Sequence, residues 1–179
     1  YAGHIQNRFA HVFTGHLHVP YVIPHDRMTC HILGQWGATL VDADRLTHQV
    51  LGRPAVISGL QKVFGADVVD EDGQLNRPEV GRRAFASRQD WQLLNQVVRP
   101  PLERHFWEEI DRAIAEGNRL VVVDAPLLFE WGSQERFDTI VVVDADEMLR
   151  IERVKARSGL TAGEIRQRMA YQMPAAEKK

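Results

Sequence analysis

Short apolar runs that each end in an aspartate recur along this chain. They occupy residues 38–42, 120–124 and 140–144. Consecutive apolar positions over so few residues are typical of a strand buried on both faces of a parallel sheet. The pattern therefore predicts an α/β sheet that carries Asp42, Asp124 and Asp144 at the carboxyl ends of its strands, where such sheets bind ligands.

Helical spacing of apolar residues dominates between the first two runs. It predicts helices over 55–64, 78–86 and 91–115, the last broken at Pro100-Pro101, and a turn at 70–73. These elements form a helical lobe inserted between two strands. After the third strand, helices over 147–157 and 161–172 with a small basic loop between them predict a lid.

The first 31 residues differ from the remainder because they hold six of the eight histidines. Two prolines limit residues 16–24 to an extended edge segment, and residues 28–36 suit a short helix. No cysteine or carboxylate at ligand spacing accompanies the histidines, so we expect no metal site there. The simplest hypothesis is that this segment is not native to the fold, for instance through an out-of-frame 5′ end.

Length and charge narrow the class of protein. The 179 residues fit one domain with an inserted lobe, and no apolar stretch approaches the length of a membrane span. A net charge of −2 argues against nucleic-acid or anionic-membrane binding, so we expect a cytosolic protein. Cys30, the single cysteine, is expected to be inert. The sequence starts at Tyr1, and we expect it to be cut at both ends.

Asp42 and Asp44 are the first candidates for chemistry. They are two residues apart, so on an extended backbone both side chains point to the same side. Two carboxylates in one cleft suit divalent-metal binding or the abstraction of a hydroxyl proton. The alternative is that one of them only caps the following helix, and the residues alone leave both readings open.

Four segments together resemble dephospho-coenzyme A kinase in order and spacing. They are Gly37-Ala38-Thr39-Leu40-Val41-Asp42-Ala43-Asp44-Arg45-Leu46-Thr47-His48, Phe64-Gly65 with Asp70-Glu71-Asp72-Gly73-Gln74-Leu75-Asn76-Arg77, Val123-Asp124-Ala125-Pro126-Leu127-Leu128-Phe129-Glu130, and Arg157-Ser158-Gly159-Leu160 with Gln172-Met173-Pro174. The resemblance covers about residues 32–179. It implies an α/β fold of the P-loop NTPase type, with an inserted helical substrate lobe and a lid.

The resemblance also implies an activity, which is transfer of the ATP γ-phosphoryl group to the ribose 3′-hydroxyl of dephospho-CoA with Mg²⁺. Asp44 takes the role of the base, and Asp42 that of holding substrate or metal-bound water.

The implied nucleotide-binding residues are Arg153, Arg157 and Asp124, and the implied substrate-binding residues are Arg45, Arg99, Pro126, Leu127 and Phe129. Ordinary alternatives are solvated helix faces for the arginines, a cap for Asp124 and core packing for the apolar residues. The implied partners are ATP and dephospho-CoA, with no nucleic acid and no membrane.

The expected organisation has four parts. They are an atypical segment over 1–31, an α/β core over 32–44 and 118–149, a helical lobe for the coenzyme A precursor over 45–117, and a lid with its following helix over 150–179.

Three departures from the family accompany the resemblance. Where a glycine-rich phosphate loop should precede Met28, residues 19–27 contain two prolines and no glycine, and Lys62 is the first lysine of the chain. Arg99-Pro100 replaces the usual His-Pro pair, and the family's C-terminal strand and helix do not follow. Two alternatives therefore stand beside a kinase with impaired activity: a catalytically dead relative that binds a coenzyme A precursor, and another small-molecule P-loop kinase.

Overall fold

The computed structural model describes residues 7–13 and 38–178. Its strands are β1 (Asn7–Phe13), β2 (Thr39–Asp42), β3 (Leu120–Asp124) and β4 (Thr139–Val143). Its α-helices are α1 (Ala43–Leu51), α2 (Pro54–Phe64), α3 (Arg77–Ala84), α4 (Arg88–Ala115), α5 (Glu147–Ser158) and α6 (Ala162–Met169). Single 3₁₀ turns lie at Ala66–Val68, Gln134–Arg136 and Ala175–Glu177. The predicted segments at 16–24 and 28–36, and Cys30, lie outside the described residues.

The four described strands form a parallel sheet in the order β2-β3-β1-β4. On β3 the consecutive residues Val121, Val122 and Val123 are all buried, so both faces of this strand are covered. The parallel sheet and the three strands read from the sequence are confirmed. β1 was not predicted, because Arg8 and His11 interrupt the apolar run of that strand.

By its internal contacts the chain divides into two compact units. One unit spans Tyr1–Ala43 and Glu108–Lys179 and contains the sheet. The other unit spans Asp44–Trp107, and its longer secondary-structure elements are α-helices. The lobe, core and lid limits drawn from the sequence stay predictions. Among the described helices, none combines the length and the apolar character needed to cross a bilayer.

Helix α4 corrects the expectation of a break at Pro100-Pro101, since it runs continuously through both prolines. Each proline removes one backbone hydrogen bond, which normally interrupts a helix. The buried residues Val98, Leu102 and Phe106 recur every four positions across this point. We attribute the continuity to this buried stripe, because its burial outweighs the lost hydrogen bonds.

In the helical unit, Arg83 of α3 joins three segments. Its guanidinium donates to the Phe64 carbonyl, pairs with Asp67, and donates to Glu79 Oε1 at 2.5 Å. Hydrogen bonds from Arg82, and then from Arg83, lower the pKa of Glu79 to about 2. The loop after α2 is thereby held against α3 by ionic contacts.

This ionic contact predicts an acid-sensitive stability. A carboxyl group whose pKa is lowered by folding binds fewer protons in the folded state than in the unfolded state. Its contribution to the unfolding free energy is therefore complete above about pH 4.5 and declines as the pH falls toward 2. We expect Glu79→Gln to lower the urea midpoint at pH 7 and to flatten its decline between pH 5 and pH 2.5. An equal decline in the variant and the unsubstituted chain would contradict this assignment.

Close helix packing at Gly59 generates a second prediction. A Cβ added there would lie 2.7 Å from Val97 Cγ1, and Val97 is stiff because it is β-branched. Overpacking destabilises a protein by about 1–3 kcal/mol, whereas the better helix propensity of alanine stabilises it by about 1 kcal/mol. We therefore expect Gly59→Ala to lower the unfolding free energy by roughly 1 kcal/mol.

The matched control is Gly81→Ala on α3, where an added Cβ meets no atom within 4 Å. It should raise the unfolding free energy by about 0.5–1 kcal/mol through helix propensity alone. Urea denaturation of both variants measures the difference. A stabilised Gly59→Ala protein would refute the close contact between α2 and α4.

Candidate active site

Two carboxylates lie side by side at the carboxyl edge of the sheet. The β2–β3 register pairs Asp42 with Asp124, and parallel neighbours stand roughly 4.8 Å apart. Both residues are partly exposed. Asp124 also has His11 of β1 as its backbone partner on the other side. The expectation that strands deliver aspartates to one edge is met at β2 and β3, while β4 ends one residue before Asp144.

The backbone conformation at Asp44 differs from the expected extended one. The backbone leaves the strand at Asp42, and Asp44 lies in the first turn of α1, which begins at Ala43. The argument that an extended backbone points both side chains to one side is therefore wrong. His48 Nδ1 lies 2.8 Å from the Asp44 carbonyl oxygen, one helical turn away. A carboxylate in a first helical turn is favoured by the helix dipole, which keeps the capping alternative open.

The turn after β3 contains three of the predicted substrate-binding residues. Pro126 and Leu127 are buried, whereas Phe129 is half-buried. The amide of Gly132 donates to the Phe129 carbonyl, and Gly132 has a φ of 68°, which favours glycine. Pro126 and Leu127 therefore shape the turn from inside, and Phe129 is the member left at its surface.

The remaining predicted substrate-binding residues, Arg45 and Arg99, belong to the helical unit. Arg45 is exposed on α1. Arg99 lies on α4, where its Nε donates to Glu103 Oε1 at 3.0 Å. The Arg99–Glu103 pair is a contact within one helix, so it does not by itself indicate a ligand.

The predicted lid is a helical hairpin. Ile151 and Val154 of α5 pack with Ile165 of α6 in a small apolar cluster. Thr161 and Glu164 form a capping box at the start of α6, as the sequence predicted. Hydrogen bonds from Thr161 lower the pKa of Glu164. The hairpin therefore has an apolar centre and a capped second helix.

Basic side chains lie on both helices of this hairpin. Arg153 is exposed on α5, and Arg157 follows one turn later and is half-buried. Desolvation lowers the pKa of Arg168 on α6, and the charge of Glu164 opposes that shift. Arginine stays cationic at neutral pH, so the surface has the charge that polyphosphate requires.

Sequence reasoning missed one interaction near this site. Lys178 Nζ forms an ion pair with Glu130 Oε1 at 2.7 Å, and the lysine side chain is 2% exposed. Glu130 lies in a segment that the sequence singled out, but Lys178 follows the last predicted helix, and no local pattern connects the two. Only the folded chain brings them together.

Three comparisons with known proteins agree with one another. A family model described as dephospho-CoA kinase matches residues 27–179. Among curated relatives, the dephospho-CoA kinase of Corynebacterium efficiens is 34% identical over 145 residues, which are 80% of this chain and 72% of the relative. The dephospho-CoA kinase of Corynebacterium diphtheriae is 38% identical over 139 residues, covering 76% of this chain and 69% of the relative.

Solved structures share the fold. The crystal structure of TT1252 from Thermus thermophilus superposes with a TM-score of 0.68 at 28% identity, covering 96% of this chain and 83% of that chain. The dephospho-CoA kinase from Campylobacter jejuni gives a TM-score of 0.59 at 17% identity over 96% of this chain and 82% of that chain. The second comparison supports the fold alone.

The capping box generates a prediction for the hairpin of α5 and α6. Thr161→Ala removes the acceptor for the Glu164 amide and should cost about 1 kcal/mol of stability. Thr161→Ser keeps the hydroxyl and is the matched control, expected within a few tenths of a kcal/mol of the unsubstituted chain. Amide hydrogen exchange at the start of α6 measures the local loss. Equal protection in both variants would show that the box does not hold this helix.

Proposed function

This chain belongs to the dephospho-CoA kinase family, and on that basis we propose that it transfers the ATP γ-phosphoryl group to the ribose 3′-hydroxyl of dephospho-CoA. The match of the family over residues 27–179 carries this proposal. The same match argues against the second of the two alternatives, another small-molecule P-loop kinase. A cytoplasmic location fits such an activity and is part of the proposal.

In the proposed mechanism, Asp44 accepts the proton of the ribose 3′-hydroxyl while the hydroxyl oxygen attacks the γ-phosphorus of ATP. The bond from that phosphorus to the oxygen bridging the β- and γ-phosphates breaks, and ADP leaves with the electron pair. Arg153 and Arg157 would neutralise the charge that develops on the transferred group. Positioning and charge neutralisation are most of what phosphoryl transfer requires of a protein.

Mg²⁺ fits the paired carboxylates of Asp42 and Asp124. The described residues contain no cluster of three or more His, Cys, Asp or Glu that would enclose a metal ion. Mg²⁺ at kinase sites usually takes one or two carboxylates and completes its shell with water and substrate phosphates. The Asp42–Asp124 pair supplies that number, and the bound ion would offset phosphate charge.

Residues 19–27 favour a second candidate function, binding of the coenzyme A precursor without catalysis. Their two prolines and their lack of glycine and lysine leave no conventional phosphate cradle. Calorimetric titration with dephospho-CoA and then with ATP-Mg²⁺ separates the two. Dephospho-CoA binding alone supports the binding function, and binding of both ligands supports the kinase. Binding of neither would count against both functions.

Asp44→Asn tests the assigned base, in a version of the chain that carries the family's glycine-rich loop at 19–27. Turnover should fall about a hundredfold or more, because general-base catalysis typically contributes 10²–10⁴. Affinity for dephospho-CoA and thermal stability should be almost unchanged. The matched control is Asp72→Asn, which removes an exposed carboxylate in the 70–73 turn. Unchanged turnover in Asp44→Asn would remove this residue from the base role.

A further inference from the structure

The ion pair between Lys178 and Glu130 is unusual because the lysine is almost completely buried. The ammonium group lies 2.7 Å from Glu130 Oε1, and 2% of the Lys178 side chain is exposed. Lysine is rarely buried unless its charge is paired. The burial of Lys178 therefore depends on the charged and polar groups that contact its ammonium group.

The lysine contacts both ends of the turn that follows β3. Its Nζ also donates to the carbonyl oxygen of Pro126 at 3.2 Å, so one ammonium group spans residues 126–130. The amide of Met173 donates to Glu130 Oε1 at 2.9 Å. The segment after α6 thus fastens the turn at two points.

The turn has its own internal hydrogen bonds, which define what the lysine holds in place. The amide of Trp131 donates to Leu127 O at 3.0 Å, and that of Ser133 donates to Leu128 O at 3.2 Å. Glu130 Oε2 is buried and accepts no hydrogen bond within the described part of the chain. Removing the lysine would leave the partly buried Glu130 carboxylate without its cation, and we expect the turn to rearrange so that the carboxylate gains solvent.

Buried ion pairs are weak evidence for stability, and in some proteins their role is to select one arrangement of the groups that they join. Here the fixed group is the turn that starts just after Asp124 and presents Phe129 at its surface. We propose that Lys178 is a positioning residue that holds the 126–130 turn in the conformation that binds dephospho-CoA. The inference rests on the proposed function, since it adopts the predicted role of this turn in substrate binding.

The test compares Lys178→Met, Glu130→Gln and the double variant with the unsubstituted chain. Each is titrated calorimetrically with dephospho-CoA, and hydrogen exchange is followed at the amides of Trp131, Gly132 and Ser133. Either single substitution should weaken dephospho-CoA binding at least about tenfold and speed exchange at these amides by a similar factor. Because both act through one pair, the double variant should be no worse than Lys178→Met alone.

Lys155→Met is the matched control, because Lys155 is an exposed lysine on α5. It should leave both readouts unchanged. A purely structural role would lower the melting temperature of the Lys178 and Glu130 variants while leaving dephospho-CoA affinity intact, and this result would overturn the inference. Additive effects in the double variant would also overturn it.

Glu130→Gln keeps the shape of the site, so it preserves the test where Lys178→Met fails to fold. If the unsubstituted chain does not bind dephospho-CoA, the proposed function fails and the binding role falls with it. Hydrogen exchange then still reports whether Lys178 orders the turn. Failure of the function and failure of the positioning step are therefore distinguishable.

Discussion

The in-register pairing of β3 with its two neighbours is the constraint on which the candidate site depends. β3 is covered on both faces, and its backbone pairs with β2 on one side and β1 on the other. This register sets Asp42 next to Asp124. A slip by one residue would turn the side chains of a strand to the opposite face, so the buried valines of β3 fix the carboxylates as well as the core.

From this edge the chain proceeds directly into elements that contain predicted site residues. Asp42 is followed without a loop by α1, and Asp124 is followed by the turn that carries Phe129. The register of the sheet fixes the positions of Asp42 and Asp124 at this edge, and well-defined positions are what the proposed phosphoryl transfer requires. The hairpin of α5 and α6 differs, because its two helices pack through an apolar cluster of their own and α6 begins in a capping box.

Local patterns predicted the elements that local physics determines. Val121, Val122 and Val123 identified a doubly covered strand, and Thr161 with Glu164 identified the start of α6. Local sequence patterns gave wrong or no predictions where contacts between distant residues determine the structure. Pro100 and Pro101 indicated a break that the buried stripe of α4 overrides, and Lys178 meets a carbonyl 52 positions earlier in the chain. The strand β1 was missed because Arg8 and His11 interrupt its apolar run.

The two sides of the proposed reaction differ in what the chain retains. On the side that we propose for dephospho-CoA, the turn after β3 and the buried lysine that holds it form a connected set of contacts. On the side that we propose for ATP, the α5–α6 hairpin carries basic residues, but residues 19–27 contain two prolines and none of the glycines that let successive backbone amides turn toward phosphates. In this proposal the two substrates are bound by different groups, so a loss on one side need not weaken the other. The proposed binding of the coenzyme A precursor therefore depends on contacts among the described residues, whereas the proposed catalysis also requires a phosphate site that the composition of residues 19–27 does not indicate.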